Sequence, residues 1–440
     1  MRVFLGMVEI SGCYRGLKQG FDELGVPCTF IDLSAHPFGY GGASNGWLVR
    51  AIRYAGHRRQ LLQLRAMVRP FLWRVIRLML MAVLFLAAVV RHKVFIFGYG
   101  SSFFAGWDLP VLKLLGKLVI LQYNRSDARP PFTDGWATSE RDDAAIGRCI
   151  AATARQKRRL CRMERWADAV IDIPPQALLR EKSFIQWLRV GLACRPVDAT
   201  AHDGGEANQA NPESRQRGVR ILHCPSNPRA KGSDLIRAMI QRLRDEGRPI
   251  DYVEVVNQPN AVVMDEMKRC DIVVDQMFAD YGMPGLATEA AWLGKPVLIA
   301  GYAADLWKKW LPAENLPPTV YCHPDRAEAE LRRLVDDREH RLAVGATMHT
   351  FVRTQWNPAQ IAKRYLLIAR RQAPSDWWYD PQDIAYTHDC CHSESAAQDL
   401  PARVIQVGGI EALCLSDKPR LEQAMRDFAG GVNPLAGQAL

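Results

Sequence analysis

The first apolar run, residues 2–8, reads as a short buried strand. Ser11, Gly12 and Gly16 follow, then residues 17–24 at helical spacing, stopped by Gly25, and a second strand over 26–31. Strand, glycine turn, helix and strand open a parallel α/β sheet. The pattern resumes with a strand over 94–97, the loop Gly98-Tyr99-Gly100-Ser101-Ser102, and a helix over 109–115 stopped by Gly116. A strand over 118–123 then runs into Asn124-Arg125-Ser126-Asp127, followed by a basic helix over 155–166 and a strand over 169–173.

Residues 196–218 lose nearly all large apolar side chains and read as a linker. Beyond it, strands over 219–223, 252–256, 272–275 and 296–299 alternate with helices over 234–244, 262–269 and 284–293. That is βαβ spacing, as a doubly wound sheet requires. A closing helix is predicted over 361–369, and another near 420–428. The expected division is 1–195, an N-terminal Rossmann-like acceptor domain; 196–218, the linker; 219–370, a Rossmann-like donor domain; and 371–440, an extension packing on both.

Residues 57–91 are the most hydrophobic stretch, with Arg at both ends and an uninterrupted apolar run of thirteen residues, 78–90. A spanning helix needs about twenty. A buried core helix, an interfacial helix with basic flanks and a true span all remain open. Arg69, Arg74 and Arg77 keep the interfacial reading alive, which would place the protein on an anionic inner leaflet.

The 440 residues suit two or three domains. A mean hydropathy of −0.15 argues against a polytopic membrane protein. The net charge of +10 favours anionic partners without choosing among them. Eleven scattered cysteines, behind a start that reads as a strand rather than a leader, suggest reduced thiols and a cytoplasmic setting.

There is no P-loop, no complete G-x-G-x-x-G after the first strand and no D-x-D. Without D-x-D, the simplest way to hold a nucleotide diphosphate through a metal is missing. Helix N-termini and cationic side chains are then the remaining source of positive charge. Two turns offer both. One is His223-Cys224-Pro225-Ser226-Asn227-Pro228-Arg229-Ala230-Lys231-Gly232, where Arg229 and Lys231 are placed to clamp a diphosphate beside Ser226 and Asn227. A surface turn capping the next helix is the plain alternative. The other runs from Asp275 through Gly282-Met283-Pro284-Gly285 to Glu289. Its backbone N–H groups suit phosphate, and Glu289, one turn into the helix, suits ribose hydroxyls.

These turns resemble those of the retaining, family-four-like nucleotide-sugar glycosyltransferases with the two-domain GT-B fold. The likeness covers about residues 1–370 and is most specific in PSNPRAKGSD and DIVVDQMFADYGMPGLATEAAWLGKPVLIAG. It implies an α/β GT-B fold, with two doubly wound domains facing across a cleft and a C-terminal helical extension. It also implies transfer of a hexose from a nucleotide diphosphate sugar to a glycan or lipid-linked acceptor in envelope polysaccharide synthesis, without a metal or other cofactor. By resemblance, diphosphate and ribose binding falls on Arg229, Lys231, Gly282 and Glu289. The departures are Tyr281 where the family has its first acid, Asn124 where it usually has His, and a closer basic pair. Asp127 is the candidate for positioning the acceptor or acting as base, with Tyr99 and Asn124 beside it; a structural pairing with Arg125 or Arg129 is the alternative. Gly12 and Gly16 are candidates for close approach to the donor. The rival functions are a catalytically degenerate scaffold that binds a glycan or a partner transferase, and another GT-B enzyme such as a sugar-nucleotide epimerase.

Three further features are read plainly. His388-Asp389-Cys390-Cys391-His392 is too crowded for an ordinary zinc site. The basic helix over 155–166 lacks the aromatics of a nucleic-acid groove. Trp377-Trp378-Tyr379 suits a hydrophobic clamp between domains better than a sugar platform.

Overall fold

The computed structural model describes residues 1–34, 46–62, 68–124, 126–135, 142–194, 218–388 and 390–432, with the backbone alone at 60–62 and 68–70. Most of the expected linker, together with Arg125, Asp389 and the side chain of Arg69, lies outside the described residues.

The first sheet grows from β1 (Val3–Met7), every residue of which is buried. α1 (Cys13–Glu23) returns the chain to β2 (Cys28–Asp32), parallel to β1 with Val3 opposite Cys28. α2 (Trp47–Leu62) and α3 (Val68–Arg91) lead to β3 (Val94–Gly98), which pairs with the other edge of β1. Next come α4 (Leu109–Leu114), β4 (Leu118–Gln122), α5 (Asp143–Trp166), β5 (Ala169–Asp172), β6 (Phe184–Gln186) and the short α6 (Trp187–Val190).

The second sheet contains β7 (Val219–His223), β8 (Ile250–Glu254), β9 (Ile272–Gln276), β10 (Val297–Ala300) and β11 (Val320–Cys322). Between them lie α7 (Pro228–Lys231), α8 (Ser233–Asp245), α9 (Asn260–Arg269), α10 (Gly285–Trp292) and α11 (Trp307–Trp310). α12 (Ala327–Asp336) and α13 (Arg338–Thr354) close this unit, and α14 (Pro358–Ala369) crosses back onto α1. Glycine makes that crossing possible. A Cβ on Gly20 would lie 2.0 Å from the Pro358 carbonyl oxygen, and one on Gly16 would lie 1.6 Å from that of Ala193. Gly16 therefore serves close packing of α1 on the Ala193 backbone within the first unit, not the donor approach expected of it. The chain then adds β12 (Trp378–Tyr379) antiparallel to β6, and α15 (Glu394–Gly408) and α16 (Pro419–Ala429) pack on the first unit's core through Leu400, Val404, Met425 and Phe428. Trp378 and Tyr379 thus extend a sheet edge, with Tyr379 5.5 Å from the Phe184 ring.

The strand orders are β12-β6-β5-β4-β3-β1-β2 and β11-β10-β9-β7-β8. In each sheet the first strand is flanked by the second on one side and the third on the other. The winding therefore reverses between β1 and β3, and again between β7 and β9. Ligands of open α/β sheets bind outside the carboxyl ends at such reversals. Two binding positions follow from topology alone.

Candidate functional site

Both reversals open onto one cavity of about 660 Å³. Glu9, Ser11 and Cys13 line it after β1, Tyr99 after β3 and Asn124 after β4. From the second unit come Cys224, Pro225 and Ser226 after β7, Asn257 and Gln258 after β8, and Gln276 to Tyr281 except Met277 after β9. Cys390 and Cys391 close one side.

The two predicted turns are zipped to each other. The Met277 N–H donates to the Lys231 carbonyl at 3.1 Å, and a Cβ on Gly232 would lie 2.8 Å from that of Met277. His223 braces the first turn from below, with Nδ1 2.8 Å from the Val274 carbonyl and Nε2 2.7 Å from Ser233 Oγ. Burial lowers its pKa, so the ring stays neutral. Asn227 caps α7 by accepting the Ala230 N–H at 3.2 Å, which is its role here in place of donor contact.

The cationic clamp differs from expectation. Lys231 reaches the cavity but donates to Asp275 at 2.8 Å, and both are buried. Arg229 is exposed and lies outside the cavity wall. A second pair, Arg129 with Asp280, joins the two units at the cleft wall, so Arg129 does not serve Asp127 as the sequence allowed. Among the described residues, the charged lining is Glu9, Asp134, Asp275, Asp280 and Glu289 against Arg129 and Lys231. Among the described residues, the lining is no basic funnel. The four-residue helix at 228–231 turns Arg229 outward while Lys231 faces in, which residue spacing alone did not reveal.

The glycine-rich loop splits in two. Gly282 packs inside the second unit, where a Cβ would lie 1.9 Å from the Trp307 ring, and Met283 is core. Neither lines the cavity. Pro284, Gly285 and Leu286 do, at the start of α10, whose N-cap residue Pro284 supplies no side-chain cap. Glu289 stands one turn deeper, its Oε1 accepting from Asn260 Nδ2 at 3.1 Å. Gly285 faces Ser11 of the first unit across the cleft.

On the first unit, Glu9 was not singled out in the sequence. Its Oε1 accepts the N–H groups of Ile10 at 2.8 Å and Tyr14 at 3.1 Å, and its Oε2 that of Arg15 at 2.9 Å. Burial pushes its pKa up to about 7, against the downward pull of those bonds and of Arg15. Gly12 at φ 74 forms the left-handed corner before α1. Asn124 donates to Tyr14 Oη at 2.9 Å and accepts from Gln122 at 3.1 Å, so it frames the wall. Asp127 is buried and accepts the Asn124 N–H at 3.1 Å, which fixes the turn. Cys13 and Cys194 form a disulfide, Cα–Cα 4.4 Å, correcting the reading of all cysteines as reduced. It ties the last described residue before 195–217 to the cavity wall. His388 is stacked between Tyr302 and Phe428, each 4.5 Å away, and burial lowers its pKa to about 3.

Two doubly wound units whose carboxyl edges face one cleft, with a C-terminal helix returning to the first unit, constitute a GT-B architecture. Solved structures with some likeness include HepE of Anabaena in complex with UDP-glucose, at 10% identity and TM-score 0.42 over 84% of this chain and 98% of that one. A glycosyltransferase from Rickettsia africae matches at 11% and 0.42, over 84% and 97%. SnogD from Streptomyces nogalater matches at 12% and 0.37, over 84% and 99%. Likeness this low says nothing about activity. No family model matches the chain, and no curated protein does either.

Proposed function

We propose that the protein is a glycosyltransferase that moves a hexose from a nucleotide diphosphate sugar to a glycan or lipid-linked acceptor of the cell envelope, with retention and without a metal. The observation that carries this reading is the uncapped start of α10 at a strand-order reversal, with Glu289 one turn further in. Phosphate oxygens fit the N–H groups of that first turn, and the helix dipole favours their charge. Glu289 and Asn260 then meet the ribose. Lys231 lies near enough to share its charge between Asp275 and a leaving diphosphate, which supports bond cleavage electrostatically. The acceptor enters on the side of Tyr99 and Ser126.

One observation favours a second reading, a scaffold that binds a glycan without transfer: among the described residues, both lining cations are already paired. A panel of nucleotide sugars in a thermal-shift assay separates the two. The correct donor raises stability by RT ln(1 + [L]/Kd), about 2.7 kcal/mol at a hundredfold excess over Kd. Glu289→Gln is expected to weaken donor binding at least tenfold and leave inorganic pyrophosphate binding unchanged. A wild type that shifts with no donor, and hydrolyses none, sinks the transferase reading. The anomeric configuration of the product, read by NMR, tests retention.

A further inference from the structure

Residues 33–107, of which Ser34 and Tyr99 touch the cleft, contain ten Arg and Lys and no Asp or Glu. That equals the net charge of the whole chain, +10. Within this segment lies the 24-residue α3, nearly twice as long as the apolar run suggested. Residues 71–91 reach a mean hydropathy of 2.1.

Met81, Leu84, Phe85 and Ala88 of α3 are buried in the first unit's core, Phe85 5.2 Å from the Phe103 ring. On the far side of the helix, counted at roughly 100° per residue, Phe71, Leu72, Met79, Val83, Leu86 and Val90 are each more than half exposed. They form a stripe about 120° wide and about 29 Å long, at roughly 1.5 Å per residue. Among the described residues, no charged side chain of α3 interrupts it. Surface helices of soluble proteins carry the opposite polarity on that side. Lys117 Nζ donates to the carbonyls of Val89 and His92 at 2.6 and 2.9 Å, which brings the end of α4 beside the end of α3. There Leu114, 84% exposed, prolongs the apolar ridge. Exposed Arg58, Arg74, Arg91 and Lys93 stand around it.

We propose that α3 and the end of α4 form a docking surface for an anionic lipid bilayer, lying in the interface with the stripe in the acyl boundary and the cations at the headgroups. The segregation of charge selects this occupant. A second copy meeting the same face would bring two acid-free cationic segments together, whereas anionic headgroups complement them. Burial of the opposite side of α3 against the sheet makes the contact monotopic. This surface stands apart from the cleft, so it holds or fails independently of the transferase reading.

Flotation of the full chain with phosphatidylcholine vesicles, with and without phosphatidylglycerol, tests it in the absence of any nucleotide sugar. Wild type is expected to float with the anionic vesicles and at least tenfold less with the neutral ones. Met79→Glu with Leu86→Glu should cut flotation more than tenfold at unchanged melting temperature. Arg58→Glu with Arg74→Glu should remove the anionic preference alone. The proposal is overturned by a wild type that stays in the bottom fraction, by equal flotation of the variant carrying both Met79→Glu and Leu86→Glu, or by light scattering that shows a dimer which this variant dissociates while vesicles capture neither form.

Discussion

Two helices aim their amino-terminal ends at the same cavity, and the chain treats them in opposite ways. At α1 the protein supplies its own carboxyl group: Glu9 takes three backbone N–H groups that an incoming anion would need. At α10, among the described residues, no side chain caps the first turn, and the cavity reaches Pro284, Gly285 and Leu286. The two helix ends, one after β1 of the first sheet and one after β9 of the second, thus differ in whether a carboxylate of the protein already occupies them. On the proposed transferase reading, that difference would put the phosphate at the second unit and leave the first for an acceptor. On the same reading, a cleft whose described lining has more acids than bases would take an anion through oriented peptide dipoles and one shared lysine, with little help from net charge.

The sharpest way to break the comparison is to make α10 resemble α1. Pro284→Asp places a carboxylate where a cap belongs, with suitable extended backbone at φ −64, ψ 175. Stability should rise by about 1 kcal/mol through capping. Nucleotide-sugar affinity should fall about a thousandfold, because a like charge about 4 Å from another costs about 4 kcal/mol at an intermediate dielectric. Isothermal titration reads both the loss and its rescue by high salt. Unchanged affinity would mean that the phosphate sits elsewhere.

The next largest effect concerns the filled site. A carboxyl whose pKa rises from 4.5 to about 7 on folding holds its proton more tightly in the folded state. Its contribution is full below pH 4.5 and fades as pH climbs to 7, by about 3 kcal/mol in all. Glu9→Gln removes that dependence. Compared with wild type by urea unfolding, the variant should gain about 3 kcal/mol of relative stability between about pH 4.5 and pH 8. A constant gap across that range would show that the N–H bonds outweigh burial.

Most strands and the two cleft turns were legible in the sequence because buried parallel strands are short apolar runs bounded by glycine and proline. The fold class and the cleft's placement followed from them. Other features were not legible, for physical reasons. β6 and β12 are too short to show a period; β6 exists because it pairs with β5, and β12 because it adds to β6 at the edge. The length of α3 was hidden because Arg74 and Arg77 break the apolar run in sequence while standing off the exposed stripe in space. Arg77 leans instead on Gly56 of α2. Glu9 gave no signal, since a carboxyl becomes a cap only once the chain has turned at Gly12. Lys231 and Asp275 are 44 residues apart, and only the pairing of β7 with β9 brings them together.

The smallest effects come from the glycines beside the two helix ends. Gly12 holds φ 74, a left-handed corner that costs an alanine about 1 kcal/mol. Gly285 raises no such conformational demand; a Cβ there would lie 3.0 Å from Ser11 Cβ, on the opposite wall. Gly12→Ala should therefore lower stability by about 1 kcal/mol and leave donor affinity within twofold, because the filled end takes no part in donor binding. Gly285→Ala should leave thermal stability nearly unchanged and weaken donor affinity a few-fold, since the cleft must open by a few tenths of an ångström to seat the methyl group. Melting curves and titrations of the pair read the contrast directly. If the two substitutions exchanged their signatures, the donor would belong to the first unit and the assignment of the two helix ends would be reversed.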